Sequence, residues 1–82
     1  MALRQLQYCY SGDPSEEQEQ AAIRAIEKEA AGRSLVQLPP VPEGYGIACR
    51  FIGKFRVLRS YDPTPAKPED RMLNRIDVGY EE

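Results

Sequence analysis

The chain has no histidine. Imidazole is the commonest general base near neutral pH and the commonest side-chain metal ligand. Its absence removes Ser-His-Asp and Cys-His catalysis from within a single chain. Cysteine is scarce as well. Cys9 and Cys49 stand forty residues apart, with no C-x-x-C or zinc-ligand spacing. Two small buried strand residues are the expected reading, and a Cys9–Cys49 disulfide or a reactive thiol are the alternatives. Long apolar runs are missing too: no stretch approaches the roughly 18 residues of a membrane span. The opening "MALRQLQYCYSG" carries an arginine and two glutamines where a secretory leader has an apolar core. A soluble, cytoplasmic protein with reduced thiols is expected. Asp13, Glu16 and Glu17 lack calcium-loop spacing, so neither a metal nor another cofactor is expected.

Size narrows the field further. Eighty-two residues make one domain. A chain this short buries roughly 60–65% of the surface it exposes when unfolded. Its core rarely supplies more than about 3–5 kcal/mol, so a partner subunit or bound target contributes usefully to stability. Catalytic pockets of about 300–1,000 Å³ have little room in such a domain. No enzyme is expected.

One kind of charge is missing locally. Residues 44–61 hold four cations and no acid, in a chain of net charge −2. The rest carries seven cations against thirteen anions, a balance of −6. The segment "CRFIGKFRVLRSY" therefore stands out as basic within an acidic body. Alternation places Phe51, Phe55 and Val57 on an inward face. It places Arg50, Lys54, Arg56 and Arg59 on an outward one, with Leu58 and Ile52. Two readings compete. A half-buried strand normally has a polar outer face whose arginine stems cover apolar surface. Four cations with no acid between them also suit an acidic protein surface or a phosphate backbone. The acidic helix described next (Glu16, Glu17, Glu19, Glu27, Glu29) is expected on the other side of the sheet, and its neutralising the hairpin within the fold is the lesser reading.

The coarse elements follow from period and punctuation. "LRQLQYCYS" (3–11) alternates Leu6, Tyr8 and Tyr10 with polar partners and reads as a strand. In "SGDPSEEQEQ", Asp13 suits a helix N-cap, Pro14 the first helical position and Glu16 the capping-box position. That helix is expected to reach about Ala31 and stop at Gly32. Its apolar stripe is Ala22, Ile23, Ile26 and Ala30, with Ala25 beside it, and Glu29 pairs with Arg33. "SLVQL" (34–38) reads as a short strand. "PPVPEGYG" has three prolines and two glycines in eight residues and reads as a loop or edge, the likeness to a docking motif being the lesser reading. Two strands follow, over 45–52 and 54–61, with Gly53 at the turn. "DPTPAKPED" (62–70) reads as a stiff, extended linker. "RMLNRIDVGYEE" alternates Met72, Asn74, Ile76, Val78 and Tyr80 and reads as a final strand. A short helix opening at Pro68 is the alternative.

The sum is an α+β fold: a single small two-layer domain, β-α-β-β(-β). One α-helix (about 14–31) packs on a mostly antiparallel sheet of three to five strands. Residues 1–61 are read as the core. Residues 62–82 are read as a proline-rich linker and an extended segment packing on that core or on a partner. The leading functional expectation is a non-catalytic interaction protein: an inhibitor, adaptor or assembly subunit. It binds a protein partner through an exposed sheet face, with Arg50, Lys54, Arg56 and Arg59 as contacts. Self-association is a further expectation, since a small open sheet has uncovered edges. The alternative is a nucleic-acid-binding accessory protein that uses the same four cations, against which the acidic pI of about 5.2 weighs.

Overall fold

The computed structural model describes residues 3–12, 15–42, 44, 46–64, 66–68 and 71–81. Its elements are β1 (Leu3–Ser11), α1 (Glu16–Glu29), β2 (Leu35–Val36), β3 (Ile47–Ile52), β4 (Phe55–Tyr61) and β5 (Met72–Glu81). The two-layer α+β fold read from the sequence is the fold observed: one helix on a five-stranded antiparallel sheet.

The sheet runs β1-β5-β4-β3, and β2 pairs with β5 beyond the start of β4. The C-terminal strand is thus the centre of the sheet. It pairs with β1 along nine residues, Leu3↔Glu81 to Ser11↔Leu73, and with β4 from Arg56↔Asp77 to Tyr61↔Met72. The segment read as a linker, 62–70, is therefore the loop of a hairpin joining two neighbouring strands. The Asp62 N–H donates to the Arg71 carbonyl at 2.6 Å and closes that loop, and Thr64 bonds back to the Asp62 carboxylate. Pro63 and Pro68, the described prolines of this connection, lie between strands that pair with each other. The helix alternative for this region begins at Pro68 and runs into residues 69 and 70, which lie outside the described residues; from Met72 the chain is strand.

Helix α1 begins two residues later than the sequence suggests. Ser15 is the N-cap: its hydroxyl accepts from the Gln18 N–H, and the Gln18 side chain accepts from the Ser15 N–H. This reciprocal pair satisfies two of the donors a helix start leaves open. Glu16 is then the first helical residue and not the capping-box partner. Asp13 and Pro14, the expected cap and first residue, lie outside the described residues. Glu16, Glu17 and Glu19 sit in the first turn, where the positive end of the helix dipole favours them. The helix ends at Glu29 with Ala30 as its cap, and Gly32 follows at φ 80°. Arg33, expected to pair with Glu29, lies over the Tyr80 ring at 4.5 Å.

The expected stripe is the buried one. Ala22, Ile23, Ile26 and Ala30 face the sheet, Ala25 stays exposed, and Glu19 joins the buried side one turn earlier. Ala22 and Ala30 let the helix lie close to the strands. Its isoleucines meet Phe55, Val57, Ile76 and Val78, with Leu6, Tyr10, Leu35 and Ile52 packed at the margin. Ile76 and Val78 on the central strand are fully buried. This core is small, and truncating Ile76 to alanine is worth about 2–5 kcal/mol.

Among the described residues the other face of the sheet has no helix, but one end is roofed. A Cβ on Gly79 would meet the Val36 carbonyl at 3.1 Å and the Leu3 and Leu38 side chains at 3.2 Å. Leu3 and Leu38 thus close over Gly79 on this second face. The segment after β2 is tied to the β3–β4 hairpin by three side chains. Lys54 Nζ donates to the Leu35 carbonyl, Gln37 Nε2 to the Gly53 carbonyl and Arg56 Nη1 to the Pro39 carbonyl. At the opposite end of the same face, Ile47 and Leu73 stand exposed and no described residue makes such a roof.

Candidate functional site

The β3–β4 turn decides where the four hairpin cations go. Gly53 takes φ 59° as the first of two turn residues, the position that a type II′ turn reserves for glycine. A two-residue turn sets Ile52 opposite Phe55, Phe51 opposite Arg56 and Arg50 opposite Val57. Directly paired residues share a face. Arg50 therefore lies on the helix side with Val57, and Phe51 lies on the second face with Arg56. The sequence expectation had placed Phe51 inward with Phe55 and all four cations outward together. The even turn reverses that parity. Phe55 and Val57 are core residues as expected, while Phe51 is not.

The cations consequently do not form one row. Arg50, on the helix side, bonds the buried carboxylate of Glu19. The acidic helix thus partly neutralises the hairpin, contrary to the expectation that it lay on the opposite side. Arg59 also lies on the helix side, opposite Ala48 and Asn74. It lines a polar cleft of about 390 Å³ with Glu19, Arg50 and Asn74. Tyr10 sits across β5 from Arg59, its hydroxyl buried and without a hydrogen-bond partner among the described residues. Burial, and after it the charge of Glu19, push that hydroxyl above the usual phenol value; Arg50 and Arg59 pull the other way.

Arg56 is the one hairpin arginine on the second face, and it is nearly buried. Its Nε donates to Asp77 Oδ1 at 2.9 Å and its Nη2 to Oδ2 at 2.8 Å. The hydrogen bonds to Asp77 push the Arg56 guanidinium above its ordinary range, against the desolvation that lowers it. Asp77 is 0% exposed, and it also accepts from Gln5 Nε2 at 2.9 Å and lies 3.2 Å from Arg75 Nε. Lys54, at the turn, is bound to a backbone carbonyl. Each of these contacts occupies a cation that the sequence offered to a partner.

What remains open is the unroofed end of the second face. Its rows read Cys9, Arg75, Leu58, Cys49 and, one step along, Ser11, Leu73, Ser60, Ile47 across the four strands. All of these but Cys49 line a groove of about 470 Å³. Leu58 forms a buried floor, while Ile47 and Leu73 stand 37% and 43% exposed on either side. The charged side chain of the groove is Arg75, 41% exposed, whose Nε is anchored toward Asp77. Apolar side chains, one thiol, two serine hydroxyls and one guanidinium recognise shape and a single negative charge. They supply no obvious acid–base pair.

The cysteines sit differently from their expected burial. Cys9 is exposed and Cys49 half-buried, and both are free thiols. They share one row of the sheet at its two edges, three strand spacings apart. That is about 14 Å, well beyond the roughly 7 Å a disulfide can span.

Asp77, Arg75 and Leu73 did not emerge from the sequence as site residues. One signal was there: "RIDVGY" sets an aspartate between an isoleucine and a valine inside a strand pattern, where a charge needs a partner. Among the described residues no cluster of potential metal ligands occurs, and no helix is long and apolar enough to cross a membrane. Comparison with protein-family models, curated proteins and solved structures found no match.

Proposed function

We propose that this chain is a non-catalytic interaction protein whose contact surface is the open end of the second sheet face. The observation that supports this most is the groove between Ile47 and Leu73, with the apolar floor of Leu58 and the single exposed cation Arg75. Exposed large apolar residues gathered round a concavity mark contact sites more often than scattered ones do. The partner that fits is a protein segment carrying an aliphatic or aromatic side chain for the groove and a carboxylate for Arg75. The lack of histidine supports a non-catalytic role.

This reading moves the contact from the basic hairpin to the face beside it. Arg50 and Arg56 spend their charge on Glu19 and Asp77, which weighs against a phosphate backbone as the target. An inhibitor, an adaptor or an assembly subunit would each use such a face.

The test compares two kinds of variant on one purified partner. Proteins retained by the immobilised chain are identified, and the strongest binder is purified and titrated. Leu73→Glu is expected to weaken binding about thirtyfold, the roughly 2 kcal/mol of a central anchor. Arg50→Gln/Arg59→Gln, which removes both charges but keeps a hydrogen-bond donor for the buried Glu19, is expected to change it little. The reverse pattern would move the contact back to the cations.

A further inference from the structure

We infer that β1 pairs antiparallel with β1 of a second copy of this chain, about a two-fold axis at Gln7, to make one continuous ten-stranded sheet. The inference stands apart from the groove reading, because it rests on the β1 edge alone.

Backbone direction comes first. The Gly12 N–H donates to the Met72 carbonyl at 3.0 Å, continuing the β1–β5 register. In an antiparallel pair, alternate residues exchange both hydrogen bonds with the partner and the others turn away. Arg4, Leu6, Tyr8 and Tyr10 therefore bond β5. The N–H and C=O groups of Leu3, Gln5, Gln7, Cys9 and Ser11 point outward from the sheet. The bond from Asp62 to the Arg71 carbonyl agrees, since it turns the odd-numbered residues of β5 toward β4.

Among the described residues, this edge carries few of the usual guards. It is nine residues long, and its register with β5 runs without a bulge. It contains no proline and no lysine, and its one charge is Arg4. Natural edges are ordinarily short, bulged, charged or covered.

The edge also complements itself. A two-fold at Gln7 uses all nine residues and aligns every outward group. Leu3 meets Ser11, Gln5 meets Cys9 and Gln7 meets its twin in hydrogen-bonded pairs. Leu6 meets Tyr8, and Arg4 meets Tyr10, in the closer pairs between them. No like charges face each other. The Leu6–Tyr8 contact extends the core across the join and covers Tyr8, now 46% exposed. Because the axis is perpendicular to the sheet, both helices lie on one side and both grooves on the other. The edge strand β3 offers three outward residues, Ile47, Cys49 and Phe51, and so a shorter ladder.

Sedimentation of the reduced full chain is expected to show a concentration-dependent doubling of mass. Gln7 is exposed and stands opposite Asp77 on β5, so Gln7→Lys leaves the fold intact, while the fold of Gln7→Glu, which sets a second carboxylate there, is checked by its own urea unfolding curve. Gln7→Lys and Gln7→Glu each place two like charges at the axis. Each alone is expected to weaken dimerisation about tenfold or more, and an equimolar mixture to restore it. Gln7→Cys/Cys9→Ser is expected to form an interchain disulfide on mild oxidation, while Cys9→Ser alone forms none. A chain that stays monomeric at high concentration overturns the proposal. So does a dimer indifferent to both Gln7 charges, or one cross-linked through Cys49, which would place the join on β3.

Discussion

Arg56 and Asp77 face each other directly across β4 and β5, joined by two parallel hydrogen bonds of 2.9 and 2.8 Å, with the carboxylate sealed from solvent. A buried pair of this kind adds little against a well-packed apolar pair, but removing one member leaves a charge without its partner. The cluster is asymmetric: Asp77 serves Arg56, Arg75 and Gln5 at once.

Urea unfolding is therefore expected to rank the single variants unequally. Asp77→Ala strands one nearly buried and one half-exposed arginine, at a cost of about 3–5 kcal/mol. That matches the whole stability expected of so small a core, so this variant is largely unfolded. Arg56→Ala costs less, because Arg75 and Gln5 still face the carboxylate. Arg56→Gln/Asp77→Asn recovers much of the loss, with a coupling energy of about 0.5–3 kcal/mol. Equal losses for the two alanine variants would show that the cluster does not share Asp77 in this way.

Tyr10 sets an alkaline limit. Its hydroxyl titrates above the usual value of about 10 because burial and Glu19 disfavour the phenolate. The folded state then holds this proton more tightly than the unfolded one. The associated stability is fully present below about pH 10 and is lost as pH rises through the folded value. Tyr10→Phe is expected to flatten stability above pH 10. It is also expected to cost nothing at neutral pH, since it deletes a buried hydroxyl that lacks a partner. Denaturant curves at pH 8, 10 and 11 check both parts. A clear loss at pH 8 would mean that the hydroxyl is satisfied.

The two thiols are expected to behave independently. Cys9, exposed on an edge strand, is expected to label with a thiol reagent faster than half-buried Cys49. Mild oxidation is expected to leave the monomer without an internal disulfide, because the two positions are about three strand spacings apart. Mass spectrometry of the oxidised monomer reads this directly. An internal Cys9–Cys49 link would contradict the strand order.

The fold was legible where local signals agreed. The β1 alternation gave Leu3–Ser11, the Ala-Ile stripe gave the buried side of α1, and Gly53 marked the hairpin turn. The site was not, and the reason is one of parity. Assigning Phe51 and Phe55 to one face assumes an odd turn, whereas the two residues Gly53 and Lys54 make it even. That single step moves Arg50 against Glu19 and Phe51 to the second face. The central place of β5 was also hidden. Nothing local in "RMLNRIDVGY" says that it inserts between β1 and β4, and only that insertion makes Asp77 the counter-charge of Arg56. The cations looked available because their partners lie 31 and 21 residues away in sequence.

The groove beside the hairpin is proposed to make the contact, while Arg50 and Arg56 face Glu19 and Asp77. Methyl NMR of the labelled chain, titrated with its purified protein partner, tests it most directly. The account predicts shifts at Ile47, Leu58 and Leu73 with Val57 and Ile26 unmoved. Shifts confined to the helix side, at Val57, Ile52 and Ile26, would contradict it.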